Sequence, residues 1–163
     1  MEEVRLMNMF AQGYLIVGAA TLILVLLAML VHYEASFRLR RMLQRNQSLR
    51  RRARIMILLG GLFLAHVAEV AFFGIGGWLL ISFADTTING SLGGLEASPE
   101  LADFLFLSIA SYTTVGFSEA YPLGPIRFLF GIESLIGFML ITWTASLSFL
   151  EMQHHWQNME EDK

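Results

Sequence analysis

Three long apolar blocks constrain the fold of this chain more than any other feature. Gly13 to Val31 carries no charge, Ile55 to Ala84 carries only His66 and Glu69 as ionisable groups, and Ile126 to Leu150 only Arg127 and Glu133. A bilayer core is crossed by about 20 apolar residues in helical form. Backbone polar groups at that depth must also be satisfied internally, which favours helices. The expectation is an all-α membrane protein with three transmembrane helices. A shorter apolar stretch, Leu101 to Thr114, has Asp103 near its start and is of re-entrant rather than spanning length. The chain divides into an N-terminal transmembrane helix (1–32), a basic linker (33–54), a region holding the other two spans and the short stretch (55–150), and a tail (151–163). Cysteine is absent, which excludes disulfides, thiolate metal sites and a cysteine nucleophile. The start, Met1-Glu2-Glu3-Val4-Arg5, is acidic rather than basic, so the first block is expected to stay in place as a helix.

Eight of the eleven Lys and Arg residues fall in one connection: Arg38, Arg40, Arg41, Arg45, Arg50, Arg51, Arg52 and Arg54. Basic residues in short loops stay on the cytoplasmic side. The amino terminus is then outside, the carboxyl terminus cytoplasmic, and the setting a multi-pass protein of the plasma (inner) membrane. Arginines repeated at this spacing also occur in voltage sensors, but too few apolar residues separate them here for the segment to cross a bilayer. Two readings remain: an amphipathic cytoplasmic helix, Tyr33 to Ser48, whose basic face meets anionic lipid headgroups, or arginines that only fix topology.

On that topology the connection between the second and third blocks lies outside. Asp85 to Pro99, with Asn89-Gly90-Ser91-Leu92-Gly93-Gly94, reads as an exposed loop, and Asn89 heads a glycosylation sequon. Ser98-Pro99-Glu100 reads as a helix start, with a hydroxyl cap, proline at the first position and an acid near the dipole's positive end. This helix would run to about Tyr112 and aim its partial negative charge at the segment Thr113-Thr114-Val115-Gly116-Phe117-Ser118, which leads on to Glu119 and Tyr121-Pro122. Consecutive backbone carbonyls, a threonine hydroxyl and a glycine of free backbone angles are the ingredients that replace a cation's hydration shell. One chain supplies one strand of such a cage, so four identical copies around an axis are implied.

Ile55 to Phe149 resembles the small prokaryotic members of the potassium ion-channel superfamily, a unit of outer helix, pore helix, filter and inner helix. The filter carries the resemblance. It is extended by His66-Val67-Ala68-Glu69 on the outer helix, Ser111-Tyr112-Thr113-Thr114 before the filter, Arg127 after it, Glu133 on the inner helix, and Trp143-Thr144. The resemblance implies that the carbonyls of Thr114, Val115, Gly116 and Phe117, with the Thr114 hydroxyl, hold K+, and that Ser118 and Glu119 form the mouth. It also makes Gly137 a candidate hinge of the inner helix, with close helix packing as the alternative. The chain departs from the family where Phe117 and Ser118 stand for tyrosine and glycine, and Glu119 for aspartate. A serine at a position of positive φ would be strained by roughly 1–2 kcal/mol. Without the tyrosine hydroxyl, packing among Phe104, Phe106, Tyr112 and Phe117 would have to brace the filter. Three readings are then open: a passive potassium channel, a weakly selective pore that also admits Na+, and a non-conducting scaffold of the same fold.

His66 and Glu69 share a helix face, and His66 lies about 16 Å along the helix from Ile55, near mid-membrane. Intramembrane ionisable residues face the bundle interior, so the two are expected to pair with each other or to meet Arg127 or Glu133. Either they brace the helices, or His66 acts as a protonation-sensitive gate. His32 is expected at the cytoplasmic end of the first helix, at a different level from His66, so the two would not share a haem iron. His154-His155 belong to a solvated tail. No serine-histidine-acid grouping, phosphate loop or nucleotide-binding segment is present; neither an enzyme, a cofactor nor a nucleic-acid partner is expected.

Overall fold

The computed structural model describes residues 2–46, 50–82 and 86–161. Ser48, Ala84, Asp85 and Asp162, and the side chains of Arg51, His154, His155, Glu160 and Glu161, lie outside the described residues. Helix α1 runs from Glu2 to Arg45 without interruption. The basic segment expected after residue 32 therefore prolongs the first helix as far as Arg45 instead of forming a second one. Its Leu, Arg, Met and Gln residues are strong helix formers, and Arg38 pairs with Glu34 one turn back at 3.0 Å. Helix α2, Arg51–Ser82, likewise begins within the arginines.

The chain from Thr86 to Leu123 is more ordered than an exposed loop. A single turn, α3 (Thr86–Asn89), leads into strand β1 (Ser91–Gly93). Helix α4 covers Leu101–Tyr112, and strand β2, Tyr121–Leu123, returns antiparallel to β1 with Leu92 opposite Pro122. Gly90 and Gly124, both at positive φ, let the strand ends touch: a Cβ on Gly90 would lie 2.1 Å from the Leu123 carbonyl oxygen. Asn89 is buried and its Nδ2 donates to the Leu80 carbonyl in the last turn of α2 at 2.8 Å. The asparagine of the sequon is thus enclosed in the fold instead of exposed on a loop. A 3-10 turn, Gly124–Ile126, precedes α5, Arg127–Glu161.

Three stretches are long and apolar enough to cross a membrane: Ala11–Arg45, Arg52–Ser82 and Gly124–Gln153. The chain forms two compact units. The first combines residues 1–28 with 70–138 and contains α3, α4 and the ribbon; the second combines 29–69 with 139–163. In the first unit, Phe104, Leu107, Tyr112, Leu129 and Phe130 are buried. Gly74 allows α2 to lie directly on α4, since a Cβ there would stand 3.0 Å from the Leu105 Cα. In the second unit, Leu43, Leu58 and Leu62 form a core joined by Leu39 and Ile57. Arg54 donates to the Leu43 carbonyl at 2.9 Å, at the negative end of α1, and pairs with Glu151 at 3.2 Å.

Candidate functional site

Helix α4 presents the loop that leaves its carboxyl end. It starts at Leu101, not at Pro99, because Glu100 is the N-cap and Asp103 accepts the Glu100 backbone N–H at 2.8 Å. An acid three residues beyond the cap closes this reciprocal arrangement. One face of α4 is buried through Phe104, Leu107, Ser108 and Tyr112. At its far end Gly137 of α5 sits against the last turn: a Cβ would lie 2.3 Å from the Tyr112 carbonyl oxygen. The glycine expected as a hinge candidate is therefore in close backbone contact with the base of the loop.

The helix ends in a tight cap. Thr113 donates its N–H to Ile109 (3.1 Å), Thr114 to Ser111 (2.9 Å) and Gly116 to Ala110 (3.0 Å), while the Thr113 hydroxyl also reaches the Ile109 carbonyl at 2.7 Å. These bonds engage the Ile109, Ala110 and Ser111 carbonyls in the last turn of α4. Thr114 occupies the left-handed position at φ 59° and Gly116 comes next at φ 68°. Positive φ was expected at Ser118; it falls on Thr114 instead, the residue that leaves the cap, and Ser118 is free of that strain. Ser118 donates its N–H to the Gly116 carbonyl at 3.1 Å. That oxygen keeps a second lone pair. Among the described residues, no backbone bond engages the carbonyls of Thr114, Val115 or Phe117.

Val115 and Phe117 are 70% and 78% exposed. Of the four aromatic residues expected to brace the filter, Phe104 and Tyr112 are buried, while Phe106 and Phe117 are exposed. Phe106, Phe117, Ser118 and Glu119 line one shallow hollow. Behind the loop, Ser108 of α4 bridges two helices. Its hydroxyl lies 2.7 Å from the Val70 carbonyl of α2 and in close contact with the fully buried Glu133 carboxyl of α5. Arg127 is exposed at the start of α5 beside Ser111, Tyr121 and Ser134.

His66 and Glu69 pair with each other, one of the arrangements expected for them. Glu69 Oε2 stands 3.1 Å from His66 Nδ1, and its Oε1 stands 3.0 Å from His32 Nδ1. The expected difference in level between the two histidines is overturned. Because α1 and α2 continue to the short connection at Asn46–Arg50, residues at similar distances on either side of it come side by side. That symmetry, read along two uninterrupted helices, is the signal that would have paired His32 with His66. Ser108 had no such signal, since a serine in an apolar helix shows its partners only after packing.

The family model for ion channels matches residues 55–153, which takes in most of α2, the ribbon, α4, the loop and most of α5. Comparison with curated proteins and with solved structures gave no match.

Proposed function

Because the chain belongs to the ion-channel family, we propose that it conducts potassium passively through a filter made by the backbone of Thr114, Val115, Gly116 and Phe117 in a homotetramer. One observation carries this reading: a capped helix, buried along one face, delivers an exposed loop in which, among the described residues, no backbone group donates to the Thr114, Val115 and Phe117 carbonyls. In an apolar membrane such oxygens need water, protein or an ion. The carboxyl end of α4 adds about half a negative charge near the loop, and this favours a cation. Fourfold assembly supplies cover for Val115 and Phe117, and lets each copy's loop face the axis.

The setting that suits this role is the plasma membrane, with the arginine-rich turn on the cytoplasmic side. Arg38, Arg40, Arg41, Arg45, Arg50, Arg51, Arg52 and Arg54 would meet anionic lipid there. Arg40 and Arg41 border a groove with Tyr33, Phe37 and Trp143, a mixture of charge and aromatic surface suited to the headgroup level.

Reconstitution in vesicles tests the proposal. The expected result is K+ efflux down its gradient and, under mixed K+ and Na+, a reversal potential close to that of K+. A reversal potential near zero would replace selectivity with weakly selective cation conduction, a reading motivated by Phe117 and Ser118. Absence of flux at every pH and voltage would favour the non-conducting scaffold.

A further inference from the structure

Far from the loop in sequence, His32, His66 and Glu69 converge from α1 and α2 within the second compact unit. Their ligand atoms all lie within 4.8 Å of one another. The His32, His66 and Glu69 side chains are 0%, 16% and 0% exposed, so the group is enclosed, with His66 on the accessible side. Each imidazole turns Nδ1 toward one oxygen of the same carboxylate, at 3.0 and 3.1 Å. Each turns Nε2 toward the same hydroxyl, Thr144 Oγ1 of α5, at 3.4 Å for His32 and 2.9 Å for His66. The rings are 5.1 Å apart and Trp143 packs edge-on against His32 at 5.7 Å.

We propose that His32, His66 and Glu69 form a binding site for a first-row divalent transition ion of the zinc class, with Thr144 as the outer partner that orients both imidazoles. The donor set is the first reason. Two imidazoles and a carboxylate are the ligands that zinc and its neighbours take, whereas Mg2+ and Ca2+ take oxygen. Spacing is the second. Two donors about 2.1 Å from a tetrahedral ion stand roughly 3.4 Å apart, so the two nitrogen–oxygen contacts need to open by only a few tenths of an ångström, while the other separations, all within 4.8 Å, need to close on the ion.

Hydrogen accounting is the third reason. A neutral imidazole carries one N–H, and a hydroxyl carries one hydrogen and two lone pairs. The Thr144 hydroxyl can donate its one hydrogen to only one Nε2 at a time. With a metal on the Nδ1 atoms, both Nε2–H groups donate to Thr144 Oγ1, which has a lone pair for each. Ligating histidines habitually hold their second nitrogen in this way. A proton added to one imidazole is the rival occupant, and it leaves no metal bound. Two rings so close, both aimed at one carboxylate, leave no slot for a haem between them, and the fit is to a bare ion. Such an ion would tie α1 to α2 and, through Thr144, to α5 of the same unit.

The test uses the purified full-length protein in detergent or nanodiscs, stripped with a chelator, re-equilibrated with Zn2+ and freed of excess metal. Elemental analysis should return about one zinc per chain, and Co2+ in its place should give the absorption of a site with nitrogen and oxygen donors. Glu69→Gln and His66→Gln should each weaken zinc binding at least tenfold, and Thr144→Val should weaken it roughly 10–100-fold without abolishing it. His154→Gln with His155→Gln should leave the stoichiometry unchanged. Circular dichroism and gel filtration of each variant separate lost ligands from lost folding. A folded wild-type protein that retains no zinc would overturn the proposal in favour of the protonated pair. Zinc retained by Glu69→Gln but lost with the tail histidines would overturn it in favour of the tail.

Discussion

Thr114 holds φ 59°, a conformation that costs a β-branched residue roughly 1–2 kcal/mol. Such strain persists where function requires the side chain, and here the hydroxyl would line the innermost ion site. Thr114→Gly separates the two effects: the loop should gain about 1 kcal/mol in thermal unfolding while the K+ over Na+ preference falls in reversal-potential measurements. Unchanged selectivity would deny the hydroxyl its role. Gly137→Ala acts on the opposite side of the same turn. Its methyl would overlap the Tyr112 carbonyl, so α4 and α5 must separate, at a cost of about 1–3 kcal/mol. Lower melting temperature together with reduced K+ flux is the expected outcome; a variant as stable and active as the original would show that this contact does not hold the loop. Thr114, Val115 and Gly116 were legible as a candidate ion site because the ingredients are adjacent in sequence. The distribution of strain was not, because it depends on how the chain leaves α4: Gly116 reaching back to the Ala110 carbonyl places the left-handed residue at Thr114, and Ser118 escapes it.

At the scale of elements, α4 depends on its amino-terminal cap, since a twelve-residue helix is too short to stand on propensity alone. Asp103→Ala removes the acceptor for the Glu100 N–H and should cost about 0.5–2 kcal/mol, read as a lowered melting temperature, with hydrogen exchange rising first in α4. Exchange rising uniformly would argue against a local cap. The three long helices were evident from block length, and the short helix from its bounded apolar run. Their ends were harder to read. Arginine-rich sequence between Arg38 and Arg54 suggested a separate linker, but arginine is a good helix former and α1 and α2 simply continue into it. That continuation sets the level of every residue on the two arms, and so brings His32 beside His66. The ribbon of β1 and β2 was hidden for a different reason: three-residue strands flanked by glycines carry no periodicity.

Across the whole molecule, apolar surface is abundant: Leu15, Ile23, Phe63 and Leu64 are among the strongly exposed residues on the long helices. Lipid suits that surface. It does not equally suit a loop that combines exposed Val115 and Phe117 with carbonyls that, among the described residues, receive no backbone hydrogen bond; the proposed assembly would cover them with copies of the same chain around a shared axis. The central claim is therefore about an assembly. It is tested most directly by an experimental map of the reconstituted protein in K+, with Tl+ as an anomalous substitute. The account predicts fourfold symmetry, with cation density on the axis at the level of Thr114 to Phe117. Loops splayed away from a common axis, or a symmetric assembly whose axis holds no cation at that level, would contradict it.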